Sequence, residues 1–393
     1  MPDELELPLE TLRARPSRKW TLFPPDVLPA WIADMDYAAP EAIQRAMTKL
    51  VAEQNYGYAW GDSDKALRDS FASRMQHRFG WSVEPERVQP LADLVQAMNL
   101  AVGAFTEPGA GVIVQNPIYP PFLSTIDGTK RRRVYNPLVD SGSGFVVDVP
   151  GLERAAAEAQ AVMVCNPHNP TGRVLTRDEL QAIGRIAIEH DLTIICDEIH
   201  ADLVYSGSQH VPLSSLSPEI AARTVTLSSA TKSFNIAGLR CGLMYFGSDE
   251  LLERFRDRVP RGQLGAVNIA GVEATVAAWR EGDDWLERVM ALLSRNRARV
   301  ADWARGYGTA IKHYSPEGTY LAWLDCAGLG LPMAPRDFFL EHARVGLNPG
   351  ADFGPGGETC VRLNFATSAT ILEDILRRMN RAIDAQARGT LRA

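Results

Sequence analysis

Residues 224–240 read TVTLSSATKSFNIAGLR, and the interpretation of the whole chain starts from this stretch. The apolar run 224–227 is typical of a buried strand. Lys232 follows just past the end of that run, although lysine is rarely buried without a partner. Small hydroxyl residues surround it, and Arg240 comes eight positions later. The stretch alone permits two interpretations: a strand that delivers a lysine into a site, or a solvated loop lysine beside a surface arginine.

Short apolar strands recur upstream of this stretch. Strands are predicted at 111–114, 161–165 and 193–196, and helical patterns lie between them. Near-continuous apolar strands separated by helices predict an α/β fold whose sheet is mostly parallel and covered on both faces. We expect seven strands in this sheet.

Polar or aromatic side chains follow several of these strands at the point where each strand ends. They are Tyr119, Asn169, Asp197 and Lys232. Ligands of open parallel sheets bind beyond the carboxyl ends of the strands. The four side chains are therefore expected to converge at one edge of the sheet, from separate parts of the chain.

The sequence predicts two domains and an arm. Proline-rich residues 1–30 predict an extended arm, and residues 1–45 are assigned to this arm and to part of a small domain. Residues 46–283 form the large domain. Residues 284–393, which contain a long helix, two strands and a final amphipathic helix, are expected to form a smaller α+β domain.

Composition excludes some classes of function. The chain has 393 residues, of which 46% are hydrophobic, so it can form an ordinary core. A net charge of −7 argues against a nucleic-acid or anionic-membrane partner. The five cysteines form no C-x-x-C pair and are expected to be buried free thiols, and no metal site is predicted. With no hydrophobic signal region and no bilayer-length apolar stretch, a cytoplasmic location is expected.

One chemistry explains a lysine in this setting. Its amine would form a Schiff base with pyridoxal 5′-phosphate (PLP), a cofactor that acts as an electron sink. The pyridine nitrogen then needs a carboxylate, for which Asp197 is the candidate, with a loop or cap role as the alternative. Asn169 and His200 can donate hydrogen bonds to the phenolic oxygen, although His200 taken alone is more typical of a structural histidine. Tyr119, between prolines, offers a ring to stack on, or simply packs in its loop.

The phosphate and the substrate need cationic or amide donors. A helix N-terminus suits a phosphate, so the turn Ala92-Asp93-Leu94 is the candidate, with Ser229 and Arg240 as side-chain contacts. Asp93 is an awkward neighbour for an anion, and we expect its side chain to cap the helix. An amino-acid carboxylate calls for arginine. Arg362 lies on the polar face of an alternating strand, which alone favours an exposed strand arginine.

Together these residues resemble a known family. Asn169-Pro170-Thr171-Gly172, Asp197, and Ser229-x-x-Lys232 with Arg240 are similar to the marks of fold-type I PLP enzymes of the aminotransferase class I/II superfamily. Within it, the chain most resembles the MalY/PatB-type C–S lyases, also called cystathionine β-lyase-like. The narrower marks are Lys19-Trp20, Ala33-Asp34-Met35-Asp36, the segments 166–172 and 196–203, and His200 where many aminotransferases have tyrosine.

The resemblance implies roles that spacing does not show. Lys232 would bind the cofactor, and Tyr119 would stack on its ring. Tyr58 would reach the phosphate of the neighbouring subunit, so that an active homodimer is implied. Arg362 would hold the carboxylate of a small amino-acid substrate, and Ala33 and Asn169 would also lie against it.

The expected function is a PLP-dependent cysteine-S-conjugate or cystathionine β-lyase that releases thiol, pyruvate and ammonia. An aminotransferase is the nearest alternative, because the same site can run both reactions. A specialised PLP enzyme acting on a larger sulfur-containing intermediate of secondary metabolism is a second. A third is a regulatory protein that retains PLP but acts by binding a partner.

Overall fold

The computed structural model describes residues 4–391. Its strands are β1 Leu28–Pro29, β2 Val88–Leu91, β3 Gly111–Val114, β4 Arg132–Tyr135, β5 Val139–Asp140, β6 Phe145–Val146, β7 Ala159–Cys165, β8 Thr193–Asp197, β9 Thr224–Ser228, β10 Gly242–Phe246, β11 Leu321–Asp325, β12 Val345–Gly346, β13 Asn348–Pro349 and β14 Cys360–Asn364. Its helices are α1 Leu9–Arg13, α2 Arg18–Thr21, α3 Glu41–Ala52, α4 Asp62–Phe79, α5 Leu94–Phe105, α6 Pro120–Gly128, α7 Val149–Ala156, α8 Arg177–Glu189, α9 Pro218–Ala221, α10 Asp249–Arg258, α11 Arg261–Leu264, α12 Ile269–Glu281, α13 Asp283–Arg305, α14 Pro335–His342 and α15 Ala369–Ala387.

A seven-stranded sheet carries the fold, as predicted. Its strand order is β2-β10-β9-β8-β7-β3-β4. Strand β10 runs antiparallel to both of its neighbours, and the other pairings are parallel. The carboxyl ends of β3, β7, β8 and β9 therefore open onto the same edge of the sheet.

Helices cover both faces of this sheet, because side chains on both faces of the central strands are buried. One face packs Val112, Met163 and Ile195 against α5, α6 and α10. The other packs Ile113, Val162 and Ile194 against α7 and α8. Helix α8 begins with a capping box, in which Thr176 and Glu179 exchange side-chain and backbone hydrogen bonds.

A smaller sheet, β11-β14-β13, lies in the C-terminal part of the chain. The amphipathic helix α15 buries Ile371, Ile375 and Met379 in the same core as this sheet. The N-terminal arm packs on the C-terminal part of the chain, because β1 pairs in parallel with β12 in a separate two-stranded sheet. The domain limits at residues 45 and 283 stay predictions. Residues 1–3 of the predicted arm and residues 392–393 of the predicted small domain lie outside the described residues.

One local expectation is wrong. The arm is not extended throughout, because α1 and α2 form within it and α1 buries Leu12 completely. Outside the large sheet, residues 145–146 form a two-stranded hairpin with β5.

The cysteines are in the state that the sequence predicts. All five cysteines are buried free thiols, as expected. Across residues 4–391, no helix combines the length and apolarity needed to cross a membrane. In the same range no cluster of histidine, cysteine and acidic side chains is arranged to hold a metal ion.

Candidate active site

Lys232 enters the site from the loop after β9. Its Nζ donates a hydrogen bond of 2.8 Å to the carbonyl oxygen of Ala33, which lies in the arm. Burial lowers the pKa of the Lys232 amine below its usual range, and the carboxylates of Asp34 and Asp197 partly oppose that effect. The alternative of a solvated loop lysine is therefore wrong.

Asp197 is the last residue of β8, and only 5% of it is exposed. Its Oδ1 accepts a hydrogen bond of 3.0 Å from the amide of Ile199, which fixes the carboxylate in the cleft. Burial raises the pKa of Asp197 to about 7, with a smaller contribution from Glu198, while the amide of Ile199 lowers it. A cationic partner would restore the ionised form, so this carboxyl is suited to face a protonated nitrogen.

His200 lies three residues beyond Asp197 and is 2% exposed. Burial, aided by the positive charges of Lys232 and Arg362, lowers the pKa of His200 to about 3, so its ring is a neutral imidazole. Among the described residues, its Nδ1 is buried without a hydrogen-bond partner. The ring of Tyr320 packs edge-on against it, with centroids 6.1 Å apart. His200 therefore keeps one buried ring nitrogen unused, which a satisfied structural histidine would not.

Arg362 crosses from β14 of the small sheet to the edge of the large one and is 3% exposed. Its Nη1 donates to Asn169 Oδ1 at 2.8 Å, and its Nη2 donates to Asn348 Oδ1 at 2.6 Å and to the carbonyl of Trp31 at 3.0 Å. The guanidinium also lies over the ring of Phe353 at 5.0 Å. The alternative of an exposed strand arginine is wrong.

The bond between Arg362 and Asn169 also orients the amide of Asn169. Because Oδ1 accepts from the guanidinium, the Nδ2 end is left to donate to a bound group. Burial lowers the pKa of Arg362 to about 10, so it stays a cation at neutral pH. A fixed cation beside a free amide donor is the arrangement that a carboxylate requires.

Tyr119 immediately precedes Pro120, the first residue of α6, so its backbone is held at a helix start. Its ring is half-buried against the same core as α5 and α6. Burial raises the pKa of its phenol, the charge of Arg362 lowers it, and Asp197 raises it further, so the phenol lies within electrostatic range of both. Tyr119 therefore belongs to the same cleft.

The turn before α5 gathers the expected anion-binding residues. The side chain of Asp93 caps the helix, as predicted, because Oδ1 accepts from the amide of Gln96 at 2.8 Å. Its other oxygen pairs with Arg240, which orients that guanidinium beside the helix N-terminus. The amide of Ala92 already donates to Gln96 Oε1 at 3.0 Å, which leaves the amides of Asp93 and Leu94 as the better candidates for an anion.

Close approach of two backbones builds this turn. A Cβ placed on Gly242 would come within 3.0 Å of the Asp93 backbone, so only glycine fits at the start of β10. Ser229 lies next to it, with Oγ 2.6 Å from the carbonyl oxygen of Cys241 and 2.8 Å from Thr231 Oγ1. The single proton of Ser229 is thus engaged inside the loop, and contact with an anion requires that hydroxyl to turn.

Tyr58 does not join these residues within the chain. It is 91% exposed, and the neighbouring Tyr56 and Trp60 are 65% and 87% exposed. Three large aromatic side chains on one exposed segment are unusual for a surface that faces only water.

Sequence reasoning gave no role to several residues that the structure places in the cleft. They are Asp34, Asn235, Tyr320 and Asn348. A signal existed for Asp34, since it and Asp36 are the two charged residues in a largely apolar stretch of the arm. The others make contacts between distant segments that no local pattern records.

Comparison with known proteins finds matches over almost the whole chain. Residues 32–379 match the family model for aminotransferase class I and II. Cystathionine β-lyase PatB of Bacillus subtilis is 36% identical, over 91% of this chain and 93% of its own. A cystathionine β-lyase of Corynebacterium glutamicum is also 36% identical, over 94% and 98%. The structure of cystalysin from Treponema denticola, which contains pyridoxal 5′-phosphate, superposes with a TM-score of 0.91 at 28% identity, covering 98% of this chain and all of the other.

Proposed function

The chain belongs to the aminotransferase class I and II family and, within it, to the MalY/PatB-type branch, and from this premise we propose that it is a PLP-dependent C–S β-lyase. Its substrate would be cystathionine or another cysteine S-conjugate, and its products a thiol, pyruvate and ammonia. One observation carries the proposal. The buried amine of Lys232, the buried carboxyl of Asp197 and the buried guanidinium of Arg362 converge at one edge of the sheet.

The residues at this edge fit PLP. The unpartnered Nδ1 of His200 and the free Nδ2 of Asn169 would donate to the phenolic oxygen. Burial raises the pKa of Asp197, and the protonated pyridine nitrogen would give this carboxyl a cationic partner. The amides at the start of α5, with Arg240, would hold the phosphate, and Tyr119 would lie along the ring.

When bound, PLP supplies an electron sink that makes the α-proton of an amino acid acidic. Arg362 and Asn169 would bind the substrate carboxylate, which fixes the α-carbon relative to Lys232. Because burial lowers the pKa of Lys232, its amine would more often be unprotonated and able to remove the α-proton. A thiolate would then leave the β-carbon, and water would hydrolyse the released three-carbon enamine to pyruvate and ammonia.

A homodimer is part of the proposal. Tyr58 is too exposed to serve the site of its own chain, and the aromatic segment 56–60 would be covered by a second copy, where Tyr58 would contact the phosphate. Light scattering of the purified protein tests the dimer: a monomer with full lyase activity would exclude this role for Tyr58.

We also propose that the enzyme works in the cytoplasm.

The lyase assay is incubation of the purified protein with L-cystathionine and with S-methyl-L-cysteine. Thiol and pyruvate are expected in equal amounts with at least one of them. The Lys232→Ala variant is the matched control and should release neither. Absence of both products with both substrates, from protein that carries PLP, would refute the lyase assignment.

The same preparation separates the lyase from an aminotransferase. A transaminase would convert its cofactor to the amine form with an amino acid and regain the original absorption with a 2-oxo acid, without releasing thiol. The lyase proposal predicts thiol release at a rate that added 2-oxo acid leaves unchanged.

A further inference from the structure

Asp34, whose carboxyl has no assigned role, is the neighbour in sequence of the residue that holds the reactive lysine. Asp34 follows Ala33, whose carbonyl oxygen accepts the hydrogen bond from Lys232 Nζ. Among the described residues, no hydrogen bond to the side-chain oxygens of Asp34 is present, whereas Asp36 two positions later is paired with Lys19 at 2.7 Å. The Asp34 carboxyl is therefore free to respond to a neighbouring charge.

The backbone around Asp34 is held firmly against the lysine loop. Asn235, three residues after Lys232, accepts from the amide of Met35 at 2.9 Å and donates to the carbonyl of Met35 at 3.0 Å. The carbonyl of Asp34 accepts from Lys19 Nζ at 2.9 Å and from Asn364 Nδ2 at 2.7 Å. Contacts from three separate segments thus fix the Asp34 backbone against the lysine loop.

The negative charge of Asp34 affects the proton affinity of Lys232. Asp34 is the strongest charged influence that opposes the burial effect on the pKa of Lys232, ahead of Asp197. Burial raises the pKa of Asp34 itself, and Lys19 and Lys232 oppose that rise. Other charged and titratable groups surround Asp34 and Lys232. The arm contributes Arg15, Lys19 and Asp36. The rest of the chain contributes Asp197, His200, Tyr320 and Arg362.

We propose that Asp34 is a positioning residue, which together with the Ala33 carbonyl receives the Lys232 ammonium whenever the lysine carries a proton. The role of Lys232 as the base rests on the proposed function. In that setting, Lys232 becomes an ammonium after it removes the α-proton, and Asp34 stabilises this cation through space. The positive charge of Arg362 acts in the opposite direction and lowers the pKa of the Lys232 amine.

The test measures the proton affinity of Lys232 in the full-length chain after removal of the cofactor, so it needs no substrate. Reductive methylation with labelled formaldehyde is followed by peptide mapping between pH 6 and pH 10, with the exposed Lys130 as an internal reference. In Asp34→Asn, the modification curve of Lys232 should move to lower pH, with a roughly five- to tenfold faster reaction near pH 8. Asp34→Glu should keep the curve close to that of the wild type.

The matched control is Asp26→Asn, which removes an exposed carboxylate from the same arm and should leave the Lys232 curve unchanged. Curves of Asp34→Asn and wild type that coincide, in protein with a normal melting temperature, would overturn the proposal. If Asp34→Asn is insoluble, Asp34→Ser gives the same comparison. A shifted curve in a protein that releases no thiol would refute only the lyase, and an unshifted curve in an active lyase would refute only the role of Asp34.

Discussion

Replacement of Arg362 by lysine should weaken use of an amino-acid substrate while leaving the rest of the site intact. The guanidinium is held by three hydrogen bonds of 2.6–3.0 Å and by the ring of Phe353, so its N–H groups are oriented before substrate arrives. A lysine ammonium is a point donor and cannot bind both oxygens of a carboxylate in parallel.

The size of the loss follows from the bonds removed. One charge-assisted hydrogen bond contributes about 1.5–3 kcal/mol, and about 1.4 kcal/mol corresponds to a factor of ten. The value of kcat/KM for S-methyl-L-cysteine should therefore fall roughly 10- to 150-fold.

The assay compares the acid with its methyl ester, which keeps the ammonium group, the α-proton and the leaving group but lacks the carboxylate charge. Arg362→Lys should leave kcat/KM for the ester within about twofold, because the bond that is lost requires an anion. Equal losses for acid and ester would refute carboxylate binding by Arg362. Arg344→Lys, at an exposed pair with Asp26, is the control and should change neither value.

Three further predictions concern Asp197, a buried ion pair and a helix cap. Burial raises the pKa of Asp197 to about 7, so between about pH 4 and pH 7 the folded chain without cofactor holds a proton that the unfolded chain has lost. Its stability therefore falls as pH rises through this range. Asp197→Asn should be more stable than the wild type at pH 8 and equal to it at pH 4, and the reverse order at pH 8 would contradict this. Lys19→Met leaves the Asp36 carboxylate buried and unpaired and should cost about 3–5 kcal/mol in urea unfolding, whereas a loss below about 1 kcal/mol would mean that water already reaches the pair. Thr176→Ala removes the cap of α8 and should cost about 1 kcal/mol with kcat/KM unchanged, so a kinetic effect would contradict a purely structural cap.

The large sheet could be predicted because its signal is local. Apolar runs mark each central strand, and parallel strands necessarily end at one edge, so residues following them, such as Asp197 and Lys232, were expected to meet. The cap by Asp93 and the capping box at Thr176 were also predictable, since each depends on side chains three residues apart.

Contacts between remote segments could not be predicted in the same way. Ala33 and Lys232 are 199 residues apart, and their hydrogen bond depends on how the arm folds over the sheet edge. The burial of Arg362 depends likewise on Asn169, 193 residues away, so the alternation in β14 alone pointed to solvent. The position of Asp34 depends likewise on Asn235, which fixes the arm against the lysine loop.

The most direct measurement is reduction of the purified, loaded protein with sodium borohydride, followed by peptide mapping. Reduction makes the bond between the cofactor and its lysine permanent, so the modified residue is identified by mass. The account predicts a pyridoxyl group on Lys232 and none on the exposed Lys130. A label on another lysine, or an unlabelled Lys232 in protein that carries the cofactor, would contradict it.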